Sequence, residues 1–187
     1  MIPLARHPNR RTLFLIFALT LLPFVLAQLT YHYYRPSHLQ SYGQLLSTQA
    51  LENVPLIDPQ GQTLELHALR GKWLLLMIDN ASCPNSCLQT LFTLRQLRLA
   101  QGENMQRVQR VWFVNDTAKL SAAALERTDG TQIYRLQGPL NLPGTFADSI
   151  YLIDTLGNQV MRYPRTANPQ AIIKELANIL KNNLALG

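Results

Sequence analysis

Residues 71–87 read GKWLLLMIDNASCPNSC. From Trp73 to Ile78 the run is apolar at every position, the pattern of a central strand covered on both faces rather than one that alternates between core and water. It stops at Asp79 and breaks over Asn80-Ala81-Ser82. The chain then continues as Cys83-Pro84-Asn85-Ser86-Cys87 into a stretch where Leu88, Leu91, Phe92 and Leu99 suggest one apolar helical face. A buried strand, a cysteine loop and a helix thus follow in order, with Pro84 placed for the first helical turn.

Toward the C-terminus the same alternation continues. A strand is predicted over Val108–Val114, a weak helix over Ala118–Arg127, and strands over Ile150–Ile153 and Gln159–Tyr163 around the turn Thr155-Leu156-Gly157-Asn158. The closing helix has Asn168 as its cap, Pro169 at its first position and an apolar stripe of Ile172, Ile173, Leu176, Ile179 and Leu180. Leu142-Pro143-Gly144 reads as a loop. Toward the N-terminus, Val54–Ile57 and Thr63–Leu66 flank the turn Asp58-Pro59-Gln60-Gly61 as a short hairpin. Residues 35–50 are polar and aperiodic, as in a spacer. This order predicts an α/β fold, a mixed sheet with helices on both faces.

Residues 13–29, LFLIFALTLLPFVLAQL, carry no charge and follow Arg6, Arg10 and Arg11. A helix over residues 12–30 just crosses a hydrocarbon core of about 30 Å, and Tyr31, Tyr33 and Tyr34 supply an interfacial belt. The rival reading is a signal peptide cleaved after Val25-Leu26-Ala27; the tyrosines beyond that site favour an anchor. The expected organisation is a cytoplasmic flank at 1–11, a single transmembrane anchor at 12–30, a spacer at 31–50 and a folded domain at 51–187. With the arginines cytoplasmic, the domain falls on the periplasmic side of the inner membrane. The net charge of +6 is no nucleic-acid footprint: 14 Lys+Arg face 11 acids beyond residue 11, without a basic cluster.

Cys83 and Cys87 are the candidate site residues. A cysteine at a helix N-terminus meets the positive end of the dipole, which stabilises thiolate, the form that attacks disulfides and binds soft metals. Two thiolates one turn apart can close a disulfide or offer two ligands to Cu(I), but they do not complete a zinc site alone. In the exchange reading, Cys83 is the exposed attacking thiolate and Cys87 resolves it. A purely structural disulfide is the bland alternative, weakened because so small a loop restrains little of the unfolded chain. Asp79 is read either as a strand-ending polar residue or as a carboxylate exchanging protons with the cysteines, and Arg95 either as a snorkelling surface residue or as its ion-pair partner.

The segment GKWLLLMIDNASCPNSC, the N-terminal anchor and the later Ile150-Tyr151-Leu152-Ile153-Asp154-Thr155-Leu156-Gly157 together resemble the Sco/SenC family of thioredoxin-like copper proteins. The resemblance implies a thioredoxin-like fold and a role in cytochrome c oxidase assembly, with Cys83 and Cys87 both catalytic and copper ligands. The implied partner is an oxidase subunit or another assembly factor. One departure stands out. The family's third ligand is a histidine shortly before the late strand, where this chain has Phe146-Ala147-Asp148-Ser149. Cu(I), content with two sulfurs, is then favoured over Cu(II). His67, in the domain, is a surface residue or a substitute ligand; His32 and His38 lie in the spacer and are solvated. Alternative functions are a general periplasmic thiol-disulfide oxidoreductase and a degenerate assembly scaffold.

Overall fold

The structure, a computed structural model, describes residues 9–33 and 41–183. The chain divides into two compact units, Met1–Gln40 and Ser41–Gly187. In the first, helix α1 (Arg10–Tyr33) runs 24 residues with Pro23 inside it. Its Arg10–Thr30 portion has a mean hydropathy of 2.3 and is long and apolar enough to cross a membrane. Arg6, Tyr34 and His38 lie outside the described residues.

The second unit is built on one eight-stranded sheet. Its strands are β1 (Gln44–Ala50), β2 (Pro55–Ile57), β3 (Thr63–Glu65), β4 (Trp73–Asp79), β5 (Val108–Val114), β6 (Thr131–Leu136), β7 (Ser149–Ile153) and β8 (Asn158–Pro164). They lie in the order β1-β8-β7-β4-β5-β6-β2-β3. β4, β5 and β6 run parallel, and every other pair is antiparallel. β4 is buried at all seven positions, as its unbroken apolar run requires.

Alternation along the strands sends side chains into two clusters. Trp73, Leu75 and Met77 of β4 join Val108 and Trp112 of β5 on one face. There they meet helix α2 (Asn85–Leu99) through Leu91, Leu94 and Leu97, α3 (Ala122–Arg127) through Ala124, and α4 (Pro169–Asn182) through Ile172, Leu176 and Leu180. The opposite face buries Leu74, Leu76, Ile78, Val111 and Phe113 under Leu66 and Leu69 of a 3-10 helix and under Leu51, Val54, Leu140 and Leu142 of connecting segments. The flanking helices are present, but α2, α3 and α4 share one face; the expectation of helices on both faces is corrected.

Two strands went unpredicted. The second half of the expected spacer forms β1, paired with β8, although only Leu46 of its residues is buried. Glu175 of α4 fixes its approach, accepting hydrogen bonds from Ser41 Oγ at 2.7 Å and from the amides of Tyr42 at 2.8 Å and Gly43 at 3.0 Å. A side chain at Gly43 would strike the Tyr163 ring. The other strand, β6, pairs parallel to β5. The α2 stripe is also shifted: Thr90, Leu91, Leu94 and Leu97 are buried, whereas Phe92 and Leu99 are about half exposed.

Candidate redox site

β4 delivers the chain to the site at its C-terminal end, where loops from a parallel sheet converge. After Asp79, the Cys83 amide donates to the Asn80 carbonyl at 3.2 Å, closing a turn. Cys83 adopts φ +43, a left-handed conformation unusual for a residue with a β-carbon and a frequent mark of functional loops. Pro84 caps α2 with an extended ψ of 175°, and its carbonyl accepts from Leu88 at 3.0 Å. Cys83 therefore precedes the cap and Cys87 stands in the first turn, one position earlier than the sequence suggested for the cysteine-proline step.

Cys83 and Cys87 are joined as a disulfide, their Cα atoms 5.1 Å apart. Cys87 is fully buried and Cys83 is 3% exposed, so the cysteine expected to be exposed is buried in the disulfide form. Both sulfurs sit in the helix-side core among Ala81, Leu91 and Trp112.

Three tethers hold the loop. The Ala81 amide donates to Asp116 Oδ2 at 3.1 Å, and the Ala81 carbonyl accepts from the Ser121 amide at 3.1 Å. Asp116 follows β5, and Arg135 clamps its segment by donating to the carbonyls of Asp116 and Ala118, each at 2.6 Å. The third tether is Asp79. Its Oδ1 accepts the Asn80 amide at 2.9 Å, and its Oδ2 meets Arg165 Nη1 at 2.6 Å. Both side chains are under a tenth exposed, and Arg165 Nη2 also donates to the Ile78 carbonyl at 3.0 Å. Arg165, not Arg95, is thus the partner of Asp79; Arg95 is exposed on α2. Neither Arg165 nor Asp116 was singled out from sequence. Asp116 had a usable signal in its position just past a parallel strand; Arg165, 86 residues from Asp79, had none.

A third copper donor is missing where the resemblance would place it. The 3-10 helix Phe146–Asp148 leads into β7, whose Ile150 pairs with Met77 near the cysteine end of β4, and the Asp148 carbonyl accepts the Arg165 amide at 2.9 Å. It brings Phe146, Ala147 and Asp148 there, not a histidine. His67 does not substitute. It lies before the opposite end of β4, about 20 Å away along seven residues of strand, with Nε2 3.4 Å from the Leu51 carbonyl. Among the described residues, no three His, Cys, Asp or Glu side chains gather to hold a metal. The donor set fits a two-coordinate soft ion on reduced cysteines and not the tetragonal site Cu(II) prefers. The Leu142-Pro143-Gly144 loop stays a loop, its Pro143 carbonyl accepting from the Tyr151 hydroxyl at 2.9 Å.

A cleft of about 390 Å³ opens beside this end of the sheet, walled by Ile57, Val114, Leu120, Leu125 and Ile133 with Lys119 at its rim. Val114 is the register partner of Asp79, and Leu120 adjoins the Ser121 tether.

A family model described as "Transmembrane-like, thioredoxin-like, C-terminal domain" matches residues 73–183, from the start of β4 past the end of α4. The chain belongs to this family. Solved structures share its thioredoxin-like fold. Copper-bound ScoI of Arabidopsis thaliana aligns with a TM-score of 0.55 at 16% identity, over 76% of this chain and 99% of that one. Yeast Sco1 gives 0.55 at 17%, over 70% and 97%. The thioredoxin domain of a Bacteroides vulgatus thiol-disulfide oxidoreductase gives 0.51 at 18%, over 76% and 99%. No curated protein matches the sequence. The thioredoxin-like fold and the Sco/SenC resemblance read from residues 71–87 and 150–157 therefore agree with these neighbours.

Proposed function

We propose that this chain is a membrane-anchored thiol-disulfide exchange protein acting in cytochrome c oxidase biogenesis, with Cys83 and Cys87 as its redox pair. The observation that carries the reading is the disulfide at the N-terminus of α2, on a loop fixed by Asp116, Ser121 and the Asp79–Arg165 pair. In the reduced protein, Cys83 thiolate attacks a client disulfide and releases one client thiolate. Cys87 thiolate then attacks Cys83 Sγ, releasing the second client thiolate and leaving the Cys83–Cys87 disulfide. Two electrons pass to the client, and an external dithiol restores the pair. The helix terminus favours the thiolates throughout.

The anchor is α1, with the outer unit on the periplasmic side; its client is an oxidase subunit or another assembly factor. A second reading rests on the same residues. Reduced Cys83 and Cys87 hold Cu(I) as cargo, a reading supported by the copper-bound ScoI neighbour and by the tolerance of Cu(I) for two sulfurs.

The deciding experiment is Cys87→Ser in cells. Mixed disulfides trapped through Cys83 and dissolved by dithiothreitol are expected. If none forms, thiol exchange fails, and anaerobic titration of the reduced wild type with Cu(I) and Cu(II) then tests the cargo reading, which requires tight binding of one Cu(I) and weak Cu(II).

A further inference from the structure

The helix-side face of the sheet holds a second buried arginine, far from the cysteines in role. Arg110, on β5, is 4% exposed, yet its Nε and Nη1 have no hydrogen-bond partner. Only Nη2 is engaged, by the Asp129 carbonyl. Thr131, its register partner on β6, likewise has an unpartnered buried hydroxyl. Such groups are rare in folded proteins because each forfeits its hydration without replacement.

The charge around them is one-sided. Arg98 on α2 donates from Nε to the Val108 carbonyl at 2.8 Å, two residues from Arg110 on the same face of β5. Arg95 lies one turn before it on α2. Burial first, then the like charges of Arg98 and Arg95, lowers the Arg110 pKa, while Asp129 opposes them. No carboxylate of the described residues comes within 4.0 Å of Arg110. The Asp129-Gly130 turn closes the far side; Gly130 has φ +68, and a side chain there would collide with Arg110 Nη2.

We propose that Arg110 and Thr131, with Arg95 and Arg98 above them, form a binding site for a phosphate-type oxyanion between α2 and the start of β5 and β6. Nε and Nη1 lie on different edges of the guanidinium, so the anion accepts a charge-assisted hydrogen bond from one of them, and the Thr131 hydroxyl supplies a further donor. Arg95 is exposed and Arg98 half-buried, so these two cations stand between the buried Arg110 and solvent. Three cations suit a phosphate group, free or carried on a phosphoglycerol headgroup.

The test is calorimetric titration of the detergent-purified full chain with inorganic phosphate and, separately, with glycerophosphoglycerol. Saturable one-site binding of either supports the site; phosphate alone assigns a free anion, and the phosphodiester alone assigns a lipid headgroup. The exposed Arg95→Gln variant should melt at the wild-type temperature without ligand and bind severalfold more weakly. Thr131→Val should weaken binding severalfold, and Arg110→Met should abolish it. Failure of both ligands to bind, or unchanged affinity in Arg110→Met, overturns the proposal.

Discussion

Two buried arginines, Arg110 on β5 and Arg165 just past β8, are treated in opposite ways. Arg165 places both terminal nitrogens on acceptors, Asp79 and the Ile78 carbonyl, and leaves only Nε without a partner. Arg110 is at least as buried but leaves two nitrogens unmatched and faces two further arginines. The first arrangement is closed: charge meets charge, and the result fixes the end of β4 from which the cysteine loop springs. The second is open, with one donor on the Asp129 carbonyl and two left without acceptors. Burial of a cation alone therefore says little; what distinguishes support from a binding site is whether the protein supplies the counter-charge.

This contrast is open to direct attack. Breaking the closed pair should have the largest effect. Arg165→Ala leaves the Asp79 carboxylate buried and unpaired, and should destabilise the second unit by about 3–5 kcal/mol in urea denaturation. Arg165→Met with Asp79→Leu should recover most of that loss; if the double variant is no better than the single, the pair is not the source of the penalty. Arg110→Met provides the opposite case. It removes a buried cation that has no carboxylate within 4.0 Å, so in phosphate-free buffer its stability should lie within about 1 kcal/mol of wild type or above it. A loss as large as that of Arg165→Ala would erase the distinction.

A smaller effect is expected from the loop tether. Asp116→Ala leaves the buried-side Ala81 amide without its acceptor and should cost about 1–2 kcal/mol, with faster reduction of the disulfide by dithiothreitol. The smallest effect concerns pH. Burial, and then Glu175, raises the Tyr163 pKa, and burial raises that of Tyr151. Both phenols therefore stay neutral in the folded state where the unfolded chain would ionise. Their contribution is complete below the unfolded value of 10.0 and is lost as pH climbs above it. Stability should accordingly be flat with respect to these groups through neutral pH and decline above about pH 10, less steeply in Tyr163→Phe.

Much of the fold was legible because its decisive signals are local. The β5 limits predicted from Val108–Val114 match the strand itself. The α4 cap also holds, Asn168 Oδ1 accepting the Gln170 amide at 2.9 Å with Pro169 at the start. β1 was missed because QLLSTQA is a polar edge strand with one buried residue. β6 was missed because Thr131–Leu136 is mostly half-buried, without the alternation that marks a strand. At the site, the cysteine pair and the absence of a histidine as third ligand were both readable. The partner of Asp79 was not, because Arg165 reaches it only once β7 and β8 have folded back beside β4. The phase of α2 was misread for a related reason: Phe92 and Leu99 are apolar but face away from the sheet.

The central claim is that Cys83 and Cys87 form an exchanging pair on a loop that the rest of the fold holds in place. Its most direct measurement is a redox titration of the full chain with dithiothreitol, following thiol content by maleimide labelling and tertiary structure by near-ultraviolet circular dichroism in the same samples. The account predicts that both cysteines become reducible and reoxidisable while the tertiary signal is kept. A disulfide that resists reduction until the tertiary signal collapses would contradict it and leave the bond as a structural clasp.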